Sequence, residues 1–240
     1  MEAEKEEVHL LWTGGWESTY RLCDLIFVKK QNVCPIYILD TERKSFREEI
    51  KAMVAIREEI IKRISDNSQL LKPIQIVVKD DIPKNKIIME MHESIVAQYG
   101  RLGMQYEWLA RYVQWKGLNR IEIGVEGNSS SPRKAIFAKL EKALVVEGDS
   151  LVLGNEFDEP LLELFRFFSF PLFNLAKHKI YLLARDQPFY DLMLKTWFCH
   201  NPRNGKPCGI CRPCQQVMSE NLGFRVPFSG KMRYALKKYF

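Results

Sequence analysis

Apolar positions along this chain come as short runs and long periodic stretches in alternation. Val8-His-Leu-Leu-Trp12 is a brief apolar run that stops at Thr13-Gly14-Gly15, and Glu17 to Phe27 behind it repeats with helical period. Val33-Cys-Pro-Ile-Tyr-Ile-Leu39 is a second apolar run, closed by Asp40. The stretch from Phe46 to Ile64 places Ile50, Met53, Val54, Ile60, Ile61 and Ile64 on one helical face. Ile74–Val78 predicts a third strand, Lys86–Tyr99 and Gln105–Lys116 two more helices, and Arg120–Val125 a fourth strand. Strands alternating with helices of this length predict an α/β fold with a Rossmann-like parallel sheet and helices on both faces. From about Glu159 onward the chain reads as mostly helical. The expected division is a nucleotide-binding core over residues 1–158 and a helical C-terminal part over 159–240. Leu164-Phe-Arg-Phe-Phe-Ser-Phe170 reads as core in preference to a homodimer interface.

In such folds ligands bind beyond the carboxyl ends of the strands. Thr13 to Ser18, Asp40 and the loop Gly124 to Pro132 are therefore expected to share one end of the sheet. Ser131 before Pro132 predicts a helix cap with proline at the first helical position.

Near the C-terminus Cys199, Cys208, Cys211 and Cys214 follow the spacing C-x8-C-x2-C-x2-C. Two-residue gaps bring thiolates to one ion, and Cys199 completes a tetrahedral set, which predicts a closed structural zinc site. His200 is the alternative fourth ligand. A closed site leaves no open coordination position, so the chemistry is expected elsewhere. Cys23 and Cys34 lie in apolar surroundings and read as ordinary buried residues.

Composition narrows the setting. Apolar content of 46% and charged content of 28% are those of a globular chain. No signal-peptide pattern and no membrane-length apolar run are visible, and metal-type cysteines suit a reducing cytoplasm. The net charge of +6 is uneven. From Cys199 onward eight Lys or Arg (Arg203, Lys206, Arg212, Arg225, Lys231, Arg233, Lys237, Lys238) stand against Glu220, a net of +7. Such a tail suits thiolates or a nucleotide's phosphates; nucleic acid is not the expected partner.

Between the first strand and its helix runs Leu11-Trp-Thr-Gly-Gly-Trp-Glu-Ser-Thr19. Glycines let backbone N–H groups approach an anion, and the helix N-terminus adds its dipole. No Gly-Lys-Ser/Thr follows, so this is not a Walker loop. The run resembles the Ser-Gly-Gly-x-Asp-Ser loop of the N-type ATP pyrophosphatases (the PP-loop superfamily, adenine nucleotide alpha hydrolase-like in fold), with Thr13 for serine and Glu17 for aspartate. Within that superfamily the C-terminal part resembles 7-cyano-7-deazaguanine synthase of queuosine biosynthesis. Thr196-Trp-Phe-Cys199 is similar to that family's Thr-Trp-x-Cys, and Cys208-Gly-Ile-Cys-Arg-Pro-Cys214 to its Cys-Gly-x-Cys-x-x-Cys. Phe170 to Ile180 is similar to its Pro-Leu-x-x-Leu-x-Lys-x-Glu-Ile, with Lys177 on the shared lysine.

The resemblance implies a ligase that uses ATP and Mg2+ to adenylate a small carboxylate, releases pyrophosphate and couples the acyl-adenylate to ammonia. It implies that Thr13, Gly14, Gly15, Ser18, Thr19 and Asp40 bind ATP and that Glu17 and Lys177 act in the reaction. It places substrate at Glu126, Asn128 and Arg133. This chain departs from the family there: only Asp40 remains of Asp-Tyr-Gly-Gln, Arg101–Met104 stands at the place of Pro-Gly-Arg-Asn, and Asn128–Arg133 replaces the acidic substrate loop. The departures leave two other readings, a protein amine as acceptor and a degenerate nucleotide-binding scaffold. A tRNA thiolase or lysidine-type enzyme shares the loop but not this cysteine segment.

Overall fold

The computed structural model describes residues 7–125, 134–175, 177–220 and 222–239. Its first half alternates as the pattern predicts: β1 (Val8–Leu11), α1 (Trp16–Cys23), β2 (Val33–Leu39), α2 (Phe46–Arg63), β3 (Gln75–Val78), α3 (Lys86–Tyr99), α4 (Gln105–Lys116) and β4 (Ile121–Glu122). The helix predicted through Phe27 continues from α1 as a wider π-helical turn over Asp24–Val28. The predicted fourth strand pairs over two residues only. The helix α5 (Lys134–Ala143) leads into β5 (Leu144–Glu147) and β6 (Ser150–Leu153), and β7 (Phe168–Ser169) follows. Four further helices complete the chain: α6 (Lys177–Arg185), α7 (Tyr190–Leu194), α8 (Arg212–Ser219) and α9 (Phe228–Tyr239).

The sheet runs β3-β2-β1-β4-β7-β6-β5 among the described residues. From β3 to β7 all pairings are parallel, and the β5–β6 hairpin adds an antiparallel edge. The α/β class is thus as expected, and residues 159–240 are mostly helical, with Phe168–Ser169 supplying a strand of the main sheet. That strand lies beyond the expected boundary at residue 158.

Side chains alternate across the sheet, as a strand's period of two requires. Ile36 and Ile38 of β2 join Ile121 and Ile123 in a core beneath α3, α4 and α5, whereas Val33 and Tyr37 join Leu10 and Trp12 under α1, α2, α6 and α7. The phenylalanine-rich run belongs to the first core: Leu164, Phe165, Phe168 and Phe170 are fully buried, so it is core. No helix among the described residues is long and apolar enough to cross a membrane.

A buried ion cluster fixes α1 to the sheet. Arg21, 2% exposed, donates from Nε and Nη2 to both carboxylate oxygens of Glu122 on β4, at 2.7 and 2.6 Å. Its Nη1 reaches Asp149, in the β5–β6 turn, at 2.7 Å and Asp24 at 3.3 Å, and Lys29 closes the cluster on Asp149. Breaking a buried pair strands the other charge, at about 3–5 kcal/mol. Arg21→Met is therefore expected to lower unfolding free energy by roughly that amount in urea titration. Adding Glu122→Gln should recover part of it.

Candidate functional site

The point where the strand order reverses lies between β1 and β4: from β1 the chain proceeds outward to β2, from β4 to β7. Open α/β sheets place ligands at that crevice, and the Gly-Gly loop occupies it. Gly14 has φ +66°, and a side chain there would press on Met53 and on the Glu49 carbonyl, at 3.0 and 3.2 Å from its Cβ. Gly15 caps α1 with an extended backbone (φ −79°, ψ 171°), and a Cβ on it meets nothing nearer than the Thr13 hydroxyl at 3.4 Å. One glycine is thus required by the turn, and the other leaves open space. Across the crevice Gly124 lets β4 approach α1 closely: a Cβ there would stand 3.1 Å from Glu17 Cβ and 3.2 Å from the Ser18 nitrogen.

The predicted loop residues separate on inspection. Thr13, Gly15 and Glu17 line a cavity of about 220 Å³, together with Trp16, Arg43, Glu49, Trp197, Phe198, His200 and Arg225. Gly14 lies beneath it, its carbonyl accepting from the Trp197 N–H at 2.8 Å. Ser18 is buried with a hydroxyl that has no partner among the described residues, and the Trp16 indole N–H is likewise unpartnered. Thr19 faces inward instead: fully buried, its hydroxyl accepts from the Trp12 indole at 2.9 Å. Asp40 closes β2 outside the cavity wall, accepting from Lys79 Nζ at 2.9 Å and the Glu42 N–H at 3.2 Å. Lys177 begins α6, but its side chain lies outside the described residues, as do Glu126, Asn128 and Arg133 and the Ser131 cap.

Buried polar atoms almost always find partners, so two orphans in the first turn of α1 fit an anion held there. The first-turn N–H groups of a helix have no acceptors within it and favour negative charge. These observations fit the phosphates of a nucleotide.

The cysteine segment forms the opposite wall. Cys199, Cys208, Cys211 and Cys214 bring their sulfurs within 4.8 Å of one another. The Cys208–Cys214 and Cys199–Cys211 separations are both 3.9 Å. Thiolates at about 2.3 Å from one tetrahedral ion stand about 3.8 Å apart, so the four residues fit a single metal ion. His200 is not in this group; it lines the cavity, its pKa lowered by burial and then by Arg43. Backbone N–H groups of Cys208, Ile210 and Cys211 donate to the Cys199 and Cys208 sulfurs at 3.2–3.4 Å, which favours the thiolate. Hydrogen bonding with Cys199 and then Cys214 holds Cys211 far below the ordinary thiol range.

The basic tail braces this knuckle. Gly209 (φ +83°) and Gly230 of α9 touch backbone to backbone: a Cβ on Gly209 would lie 1.9 Å from the Gly230 carbonyl oxygen. Arg233 donates to the Cys208 carbonyl at 2.8 Å and Lys237 to that of Ile210 at 3.4 Å. Arg225 is held between the rings of Trp16 and Phe198, 5.0 and 4.8 Å from their centroids, and donates from one nitrogen to Thr196 O and Oγ1, both at 2.6 Å. Residue spacing gives no sign of Arg225 at the loop, because a fold-back of the chain brings it there. The basic count of the tail is the available signal.

No protein-family profile and no curated protein sequence matches the chain. Among solved structures it is similar to the U34-tRNA thiolase NcsA from Methanococcus maripaludis with its 4Fe-4S cluster, at 15% identity and a TM-score of 0.47, over 99% of this chain and 73% of that one. A likeness of that size transfers neither substrate nor cofactor to this chain.

Proposed function

We propose that this chain is an ATP-dependent ligase of the PP-loop type that adenylates a small carboxylate, and that the acid is 7-carboxy-7-deazaguanine or a close relative. One observation carries the reading: the Gly-Gly loop sits at the switch point of the sheet and is hydrogen-bonded, Trp197 N–H to Gly14 O, to the cysteine segment whose motif resembles the synthase. A carboxylate oxygen attacks the α-phosphorus of ATP, and the bond to the β,γ-pyrophosphate breaks. The Gly15 N–H, the Thr13 and Ser18 hydroxyls and the first turn of α1 hold the departing charge, a preorganised use of donors. Ammonia then attacks the acyl carbon and AMP leaves; the amide oxygen attacks the α-phosphorus of a second ATP, releasing pyrophosphate, and departs within AMP as the nitrogen loses its two protons, which gives the nitrile. Glu17, on the cavity wall, holds Mg2+, which neutralises phosphate charge. Lys177 adds a second cation, and Glu126, Asn128 and Arg133 receive the acid.

The ion at the cysteines is zinc in this reading, with a structural role. Each thiolate of a four-iron cluster binds a different iron, which sets the sulfurs farther apart than the single-ion spacing found in this chain.

The test supplies ATP, Mg2+, ammonium and 7-carboxy-7-deazaguanine. AMP, pyrophosphate and the nitrile are expected by chromatography and mass spectrometry. Nucleotide cleavage without nitrile would shift the acceptor to an amine such as that of a protein, and no cleavage with this acid would remove it as substrate.

A further inference from the structure

Arg225 has more hydrogen-bonding capacity than its visible role uses. Its guanidinium is clamped between Trp16 and Phe198, and Nη2 alone serves Thr196. A strut to Thr196 needs one donor nitrogen; a guanidinium has three, carrying five N–H groups in a fixed fork. The remaining nitrogens, Nε and Nη1, make no hydrogen bond among the described residues. Arg225 lines the same cavity as Thr13, Gly15, Trp16 and Glu17, and the cavity volume is far above the ~10–15 Å³ that one water needs. The second arginine of the wall is already engaged, since Arg43 faces Glu49, whose oxygens also accept from Tyr37 and Ser45. Glu17 is the carboxylate that faces Arg225 electrostatically, and burial still pushes the guanidinium down to about 10. The buried, unpartnered Trp16 Nε1 and Ser18 Oγ lie on the same turn of α1.

We infer that Arg225 is a further cation that binds the pyrophosphate portion of the nucleotide, through the N–H groups of its guanidinium that Thr196 leaves unused. This rests on the ATP-binding reading above. Charge-assisted bonds from guanidinium N–H groups suit phosphate oxygens, and the two rings fix the plane before the ligand arrives, so little ordering accompanies binding. Arg225 thereby joins the cysteine segment, the α1 turn and the ligand.

Calorimetric titration of inorganic pyrophosphate, ATP and adenosine, each with Mg2+, into the zinc-loaded wild type, Arg225→Lys and Arg225→Met tests this. Arg225→Met is expected to weaken pyrophosphate and ATP by about 10- to 100-fold, as for a lost charge-assisted hydrogen bond, with adenosine unchanged and Arg225→Lys intermediate. Equal losses for adenosine and pyrophosphate would make Arg225 a strut and overturn the inference, as would unchanged pyrophosphate affinity. A wild type that binds neither ATP nor pyrophosphate would overturn the ATP reading as well. Should the variants fail to fold, phenylglyoxal labelling of the wild type gives the answer: pyrophosphate is expected to protect Arg225 in the peptide mass map, and unprotected labelling would overturn the inference.

Discussion

Replacing Cys211 by serine is expected to remove the metal from the protein and to disorder residues from about Thr196 onward, while the sheet survives. A structural zinc, as proposed for the four cysteines, contributes about 10–16 kcal/mol of binding free energy in small zinc domains, so its loss would outweigh any single hydrogen bond in the segment. Little else holds this region. Its own apolar clusters are small, one made of cysteines with Trp197, Phe198 and Ile210, the other centred on Val217, Leu222 and Val226. Across α9 the buried contact is the Gly230–Gly209 approach, and Phe228, Met232 and Leu236 are exposed. The expected measurements are loss of one metal per chain and a fall in Tm of about 6–12 °C, for a loss of at least about 3 kcal/mol. Hydrogen exchange should show loss of protection confined to α8 and α9, with α3 and α4 unchanged. Loss of protection throughout the sheet would contradict the division of roles between core and metal segment.

The second large effect is expected at Gly15. Its backbone angles suit any L-residue, and a Cβ meets only ordinary contacts, so Gly15→Val should fold. The added methyl groups project where the loop faces the cavity and would occupy the place proposed for phosphate. A loss of about 100-fold or more in kcat/KM for ATP is expected, the size seen when one preorganised donor is lost from an anion hole, with little change in Tm. Gly14→Ala should differ in kind: at φ +66° and against Met53 and the Glu49 carbonyl, it costs stability as well. Steady-state kinetics beside thermal melts separates the two.

The first half of the fold was legible because each element is long enough to display its period. The predicted spans of β2, α3 and α4 coincide with those observed, and α2 differs by one residue at its end. The β5–β6 hairpin is a different case. Its signal is Gly148-Asp149 between Leu144-Val-Val-Glu147 and Ser150-Leu-Val-Leu153, a two-residue turn between short apolar runs. Phe168–Ser169 gave no strand signal, being two residues inside an aromatic run whose burial alone was readable.

At the site, the cysteine cluster and the Gly-Gly turn were legible because their residues are local in sequence. What was not legible depends on side chains that meet only after folding. The Thr19 hydroxyl is taken by an indole seven residues earlier, Asp40 is engaged by Lys79 from the turn after β3, and Arg225 arrives at the loop from beyond the cysteines. The Arg21–Glu122–Asp149 cluster joins three elements that no spacing rule connects.

The Gly-Gly loop is proposed to hold pyrophosphate, and the bond cleaved in ATP tests that most directly. Phosphorus NMR of ATP and Mg2+ with the zinc-loaded protein and a panel of aromatic carboxylates, 7-carboxy-7-deazaguanine among them, resolves the products. AMP and pyrophosphate are expected in equal amounts, dependent on one acid and absent in Gly15→Val. ADP and phosphate, or cleavage that Gly15→Val leaves untouched, would contradict the proposal.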